Sequence, residues 1–240
     1  MSVVLCLKST LFSIVTTDTK ICWRNIFDES VNDTSDNEKL LDLKVGWFAG
    51  AGASDLIDDV GLSLSEMVYI DTNKLKNIYS KSYTANIEKA EYDKYWLDIT
   101  AIVTSWIQYD QKPFKIGIVG FNLETNQIQA REPDENNIEL LWPKEYIEDH
   151  SKILALIQKF NNFPCDTLYS CMNQIFCIFK EITENSKSVS ETCDTGILVC
   201  DNNSLKKIRI TDNIDRLIAD YKNDYSNITQ KLVWSFPLQN

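Results

Sequence analysis

The chain has 240 residues, of which 44% are hydrophobic and 25% charged. That length can hold one large core or two small ones, and the composition is that of a folded chain. With 35 acidic against 24 basic side chains the formal net charge is -11, and no Lys/Arg cluster stands out beyond Lys206-Lys207 with Arg209; a surface for nucleic acid or anionic membrane, which needs a basic footprint, is therefore not expected.

Residues 3–7, 11–15 and 21–23 are short β-type runs separated by Lys/Ser/Thr and Asp/Thr/Lys turns. No basic region precedes them and Lys8 interrupts the first, so no signal peptide is expected, and no window reaches the ~18 apolar residues of a spanning helix. The expectation is synthesis in the cytosol, with a working place in the cytoplasm or in a virion or other extracellular particle. Residues 28–38, rich in Asp, Asn, Ser and Thr, read as an exposed loop, and residues 41–48 resume a strand. Gly50-Ala-Gly-Ala-Ser54 lacks the spacing and the Lys-Ser/Thr of a phosphate loop and reads as a flexible loop.

Farther on, Trp96, Asp98 and Thr100 alternate with Leu97 and Ile99 as in a strand with one face in a core. Ile102, Val103, Trp106 and Ile107 then recur at the spacing of a short helix, which Asp98 or Thr100 would cap. Residues 116–121 form an apolar run that reads as a buried strand; Gly117-Ile-Val-Gly120 lacks the third glycine and following helix of a dinucleotide turn. This strand, helical turn and strand, carried by Asp98, Thr100, Val103, Trp106, Gly117 and Phe121, resembles the DNRLRE-type carbohydrate-binding-module-like jelly rolls, and the similar sandwich arm of transforming-growth-factor-β propeptides. Leu43-Lys-Val-Gly46 resembles an early strand of the first group and residues 136–142 its closing strand, so the resemblance covers about residues 40–142. It implies a mainly β fold, with an antiparallel jelly-roll β-sandwich over residues 1–142, and a structural hydrogen bond from Asp98 to the helical turn.

Near residue 143 the apolar period changes from two to 3.6, which marks a boundary to a small α+β domain over residues 143–240. Ile153, Leu156, Ile157 and Phe160 form one helical stripe. Leu168, Cys171, Met172, Ile175, Phe176, Phe179 and Ile182 form a stronger one, started by Pro164 or Asp166 and more fitting for a core than for a cofactor pocket. Residues 196–200 and 205–210 read as a hairpin, Ile214, Leu217, Ile218 and Tyr221 as a helix capped by Asp212, and Leu232, Trp234 and Phe236 as a last strand.

Catalytic groups are sparse. His150, between Asp149 and Ser151, is the one histidine; its place at a helix start argues against a Ser-His-Asp or Cys-His triad, and a catalytic zinc needs more His ligands. Cys165, Cys171 and Cys177, six apart among 7 cysteines, match no zinc spacing, and reduced, non-metallated thiols are expected, without a Cys193–Cys200 bridge. No metal or cofactor is expected. No acid/base pair of carboxylates stands out either. Aromatic residues suggest a ligand instead: Tyr92, Tyr95 and Trp96, within a wider group with Tyr69, Tyr79 and Tyr83, are where a glycan would stack. The resulting expectation is a non-enzymatic structural or adhesive protein, a component of a larger assembly such as a virus, phage tail or tail-like particle, with other protein subunits and a glycan as partners. The alternative is an intracellular adaptor or regulatory subunit, and a third reading is a carboxylate-based glycan-active enzyme.

Overall fold

The computed structural model describes residues 3–24, 31–36, 38–89, 94–108, 114–141, 150–162, 167–186, 189–201, 204–223 and 232–237. In chain order the strands and helices are β1 Val4–Lys8, β2 Phe12–Asp18, β3 Lys20–Arg24, β4 Val31–Asp36, β5 Leu41–Leu43, β6 Gly46–Ala51, α1 Ser54–Ser65, α2 Thr72–Glu88, α3 Lys94–Asp98, β7 Ala101–Ile107, β8 Phe114–Asn122, β9 Gln127–Arg131 and β10 Glu139–Leu141. They continue with α4 His150–Asn162, α5 Leu168–Glu184, β11 Thr192–Asp201, β12 Ser204–Asn213, α6 Ile214–Asn223 and β13 Leu232–Pro237. The fold is mixed, with antiparallel sheets and helices together.

One sheet has six strands in the order β10-β1-β2-β11-β12-β13, another has five, β5 to β9, in chain order, and β3 and β4 form a separate pair. Alternation along the strands decides the layering. From the six-stranded sheet, Val4, Cys6, Val15, Leu198 and Leu205 meet Trp47, Ala49, Val103, Ile116 and Ile118 of the five-stranded sheet in a shared inter-sheet core. The opposite face of the first sheet, with Leu5, Ile14, Ile197 and Ile210, packs on Ile153 of α4, Met172, Phe176 and Phe179 of α5 and Leu217 of α6. The opposite face of the second, with Phe48, Ile102, Trp106 and Val119, packs on Leu56 and Val60 of α1, Leu75 and Tyr79 of α2 and Leu97 of α3. The result is two sheets face to face, each covered by helices. Gly196 lets the sheets approach: a Cβ there would come within 2.4 Å of the Trp47 ring, whose Nε1 donates to Ile197 O at 3.3 Å.

The expected division at residue 142 does not separate two sheets. β2, from the N-terminal part, pairs with β11 from Phe12↔Val199 to Asp18↔Cys193, so the C-terminal hairpin extends the sheet begun at the N-terminus. The change of period near residue 143 marks the entry of the helical layer. Residues 54–65 and 72–88, expected within an all-β region, form α1 and α2. The buried positions of α2, Leu75, Tyr79, Tyr83 and Asn86, recur at helical spacing, and Asp71 caps it by accepting from Lys74 N at 2.8 Å.

Around residue 100 the expected order is reversed: the helix is α3 before it and the strand is β7 after it. Residues 102–107 are buried on both faces, Ile102 and Trp106 toward the helices and Val103 toward the other sheet, so apolar residues crowd both parities and mimic a helical stripe. Residues 31–36 of the expected loop pair with β3. The hairpin of β11 and β12, the helices α4, α5 and α6 and the last strand lie where the sequence places them. Thr167 caps α5, its Oγ1 accepting from Ser170 N at 3.2 Å; Pro164 and Asp166 lie outside the described residues.

Candidate functional site

The end of β2 and the residue after it, Thr16-Thr17-Asp18-Thr19, are four polar residues in a row that are all buried, Asp18 at 0% exposure. Buried polar groups need partners, and each finds one. Thr16 Oγ1 and Thr195 Oγ1 lie 3.0 Å apart across the β2–β11 pair, Thr17 Oγ1 donates to Asp18 O at 3.3 Å, and Thr19 Oγ1 donates to Ser190 Oγ at 3.3 Å. Asp18 uses both carboxylate oxygens: Oδ1 accepts from the backbone N–H of Val3 at 2.9 Å, and Oδ2 accepts from Lys39 Nζ at 2.8 Å. The two side chains are 0% and 9% exposed, so this is an ion pair out of water, fixed at the point where the chain enters β1. The residue bonded to Val3 is Ser2, which lies outside the described residues.

The sequence reading took Asp18 for part of a turn between short strands, yet it closes the internal strand β2. The signal that could have found it is the pairing of an internal strand with a run of four polar residues, which an apolar sandwich tolerates only where they are satisfied.

Two further charged residues face the inter-sheet seam from β12. Lys207, with a side chain 1% exposed, is ion-paired to Asp42, donates to Leu43 O at 2.6 Å and lies 4.3 Å from the centre of the Trp47 ring. Burial pulls its ammonium below the usual lysine range, against the opposing pull of Asp42. Arg209 is ion-paired to the buried Asp194 and to Glu38, its Nε donating to Asp194 Oδ1 at 2.9 Å; Thr211 Oγ1 donates to the same oxygen at 2.8 Å. The hydrogen bond to Asp194 holds the guanidinium above its usual range.

The residues of the sequence motif come together in a different place, on the helix-covered face of the five-stranded sheet. Thr100 is their hub: its Oγ1 accepts from Ala53 N at 2.8 Å and donates to Trp96 O at 2.7 Å, and its carbonyl accepts from Tyr79 Oη at 2.5 Å. Thr100 thus serves the start of α1 rather than a helix following it. Asp98, the last residue of α3, accepts from Tyr83 Oη of α2, not from a helical turn. Tyr83 stacks on Phe121 with centroids 5.4 Å apart. Trp106 is 1% exposed and belongs to the sheet under which it was expected to lie; Gly117 sits against its ring, and Val103 faces the inter-sheet core. Gly50-Ala-Gly-Ala-Ser54 is a tight strand-to-helix turn with Gly52 at φ 127, not an open loop.

Of the expected ligand-binding aromatics, Tyr92 lies outside the described residues. Tyr95 and Trp96 lie on α3 with rings 5.7 Å apart at 74°, so they do not form one flat face. His150 opens α4, and its side chain is outside the described residues. Cys193 and Cys200 are free and lie on one extended strand, whose rise of roughly 3.3 Å per residue holds them far beyond bonding distance. Among the described residues no group of His, Cys, Asp and Glu is arranged to hold a metal ion, and no helix is long and apolar enough to cross a membrane. No protein-family model matches the chain, and no curated protein matches it.

Proposed function

We propose that the chain is a hydrolase of amides or esters whose nucleophile is the hydroxyl of Ser2, with the α-amino group of that same residue as the base once the bond before Ser2 is cut. The observation that carries this reading is the buried Asp18 carboxylate, which holds the first described N–H of the chain with one oxygen and the Lys39 ammonium with the other. An N-terminal amine is an established base for a neighbouring hydroxyl, and such chemistry needs no histidine. An α-amino group ordinarily titrates near 7.7–8.0, and a nearby ammonium disfavours its charged form. In this reading the amine acts in its neutral form and takes the Ser2 proton. The hydroxyl oxygen then bonds to the substrate carbonyl carbon, and the amine's new proton passes to the leaving amine or alcohol as its bond to that carbon breaks. Water, deprotonated by the same amine, then bonds to the acyl carbon, and the Ser2 oxygen leaves with that proton as its bond to the carbon breaks, releasing the acid.

The test combines intact-mass analysis of the N-terminus with labelling by a fluorophosphonate or β-lactone probe. Parent protein with a free Ser2 terminus labels at one residue, and Ser2→Ala protein does not. A free Ser2 that stays unlabelled and hydrolyses no ester, or equal labelling of Ser2→Ala, overturns the reading.

A second reading is the non-enzymatic one, a structural or adhesive part of a larger assembly with the jelly-roll kinship and glycan ligand that the sequence motif suggests. The exposed apolar side chains of Leu62 (74%), Val68 (76%) and Tyr69 (49%) around the end of α1 favour burial against another subunit. Size-exclusion with mass measurement separates an assembly component from a monomer. Glycan-array binding that survives Tyr92→Ala/Tyr95→Ala removes the aromatic group as the sugar site.

A further inference from the structure

We infer that Lys207 and Arg209 are positioning residues that hold Lys39 at the Asp18 centre, an inference that rests on the hydrolase reading for its catalytic meaning. The alternation of β12 places the two cations, two residues apart, on the face turned toward the other sheet. Both reach the same short stretch of chain. Arg209 takes Glu38, one residue before Lys39, and Lys207 takes Asp42 and the Leu43 carbonyl, three and four residues after it. Between them Leu40 is fully buried, so the stretch is pinned at its first residue, its middle and its end, and Lys39 has one way to point. Arg209 is itself fixed, since its guanidinium also holds Asp194, which pairs in register with Thr17 beside Asp18. The clamp thus bears on Asp194 of β11, whose register partner Thr17 precedes Asp18 on β2. Ordering a lysine side chain costs rotamer entropy, and a catalytic ammonium must be held within a fraction of an ångström to act; two cations on one rigid strand supply that.

The variants Glu38→Gln and Asp42→Asn, singly and together, cut the clamp at side chains 66% and 50% exposed, while Asp194 keeps Arg209 and the Leu43 carbonyl keeps Lys207; circular dichroism establishes that each variant is folded. The first readout is acylation of Lys39 by acetic anhydride, followed by peptide mass spectrometry. In the parent Lys39 reacts far more slowly than exposed lysines. In the double variant its rate rises by roughly tenfold, the step expected when charge-assisted hydrogen bonds no longer resist a local opening. A Lys39 rate equal to the parent's overturns the clamp, whatever Ser2 does. The second readout is the pH profile of Ser2 labelling by the fluorophosphonate probe: with Lys39 displaced, the amine titrates at higher pH and the acid limb moves up. A uniform loss of rate with an unmoved limb overturns the positioning role. If parent Ser2 does not label at all, the hydrolase reading fails by itself, and Lys39 acylation still decides the clamp.

Discussion

Replacing Lys39 with Met keeps most of the side-chain volume and removes the charge, leaving the Asp18 carboxylate buried with the Val3 N–H as its described donor. The Asp18 side chain is 0% exposed and that of Lys39 9%, so water screens neither group, and the discount that applies to surface pairs does not. Breaking a buried pair from one side costs about 3–5 kcal/mol. At this chain length each kcal/mol shifts the melting temperature by about 2–4 °C, which puts Lys39→Met about 6–20 °C below the parent. Asp18→Asn alone also destabilises, because it strands the ammonium. The double variant Asp18→Asn/Lys39→Met leaves no charge to strand and keeps an acceptor for Val3, so it recovers much of the loss. Thermal denaturation of the four proteins by circular dichroism closes a double-mutant cycle. A Lys39→Met protein that melts within a degree of the parent, or a double variant whose loss equals the sum of the singles, refutes the picture of a coupled, desolvated pair.

Trp106→Ala removes a ring buried between β7 and the α2 layer and should cost about 3–5 kcal/mol in urea denaturation; a midpoint unchanged from the parent contradicts its burial. Gly52→Ala should cost at least about 1–3 kcal/mol from the backbone conformation alone, and its Cβ would lie 2.3 Å from Thr100 Oγ1, forcing the hub apart; a variant as stable as the parent refutes the turn. Burial pushes the Cys193 thiol up to about 12, while an unfolded thiol ionises near 8.5. The unfolded state therefore holds fewer protons between those values, and stability falls there by about 1.4 kcal/mol per pH unit for this thiol. The raised Tyr79 and Tyr83 hydroxyls, chiefly through burial, add to the fall at higher pH, and the lowered Lys207 ammonium opposes it. Cys193→Ala should flatten the limb that begins above about pH 8.5; an identical slope in parent and variant shows that the thiol ionises as easily folded as unfolded.

Much of the secondary structure was legible because its signal is local. α5 shows a long stripe at one period, and the β11–β12 hairpin is two apolar runs around turn residues, so neither depends on distant partners. The failures came where burial on both sides of an element erases the period. β7 is covered by α1 and α2 on one face and by the other sheet on the opposite face, and Ile102, Val103 and Trp106 fall at helix-like intervals by that accident. α2 was missed because two of its inward positions, Tyr79 and Tyr83, were taken for ligand-facing aromatics. Of the motif residues, Thr100, Asp98, Trp106, Gly117 and Phe121 gather on one face of the five-stranded sheet beside α2, while Val103 faces the inter-sheet core. The Asp18–Lys39 pair was out of reach for a different reason. Its members are 21 residues apart, separated by a β3–β4 excursion, and neither stands out among the charged residues until pairing brings them together.

The placement of the cations carries the remaining argument. An acidic chain with 24 basic residues would gain little stability by burying any of them, since desolvation offsets most of what an ion pair returns, and apolar residues of like volume would often be more stable. Lys39, Lys207 and Arg209 are nevertheless withdrawn from water, with side chains 9%, 1% and 23% exposed. Lys207 and Arg209 both reach the stretch from Glu38 to Leu43 that carries Lys39, and Lys39 and Arg209 pair with Asp18 of β2 and Asp194 of β11. The inter-sheet core around them is built mainly on apolar side chains, Trp47, Val103, Ile116 and Leu198 among them. Of the three, Lys39 alone meets Asp18, whose other carboxylate oxygen holds the Val3 N–H at the entry to β1, and this contact is the one on which the proposed centre rests.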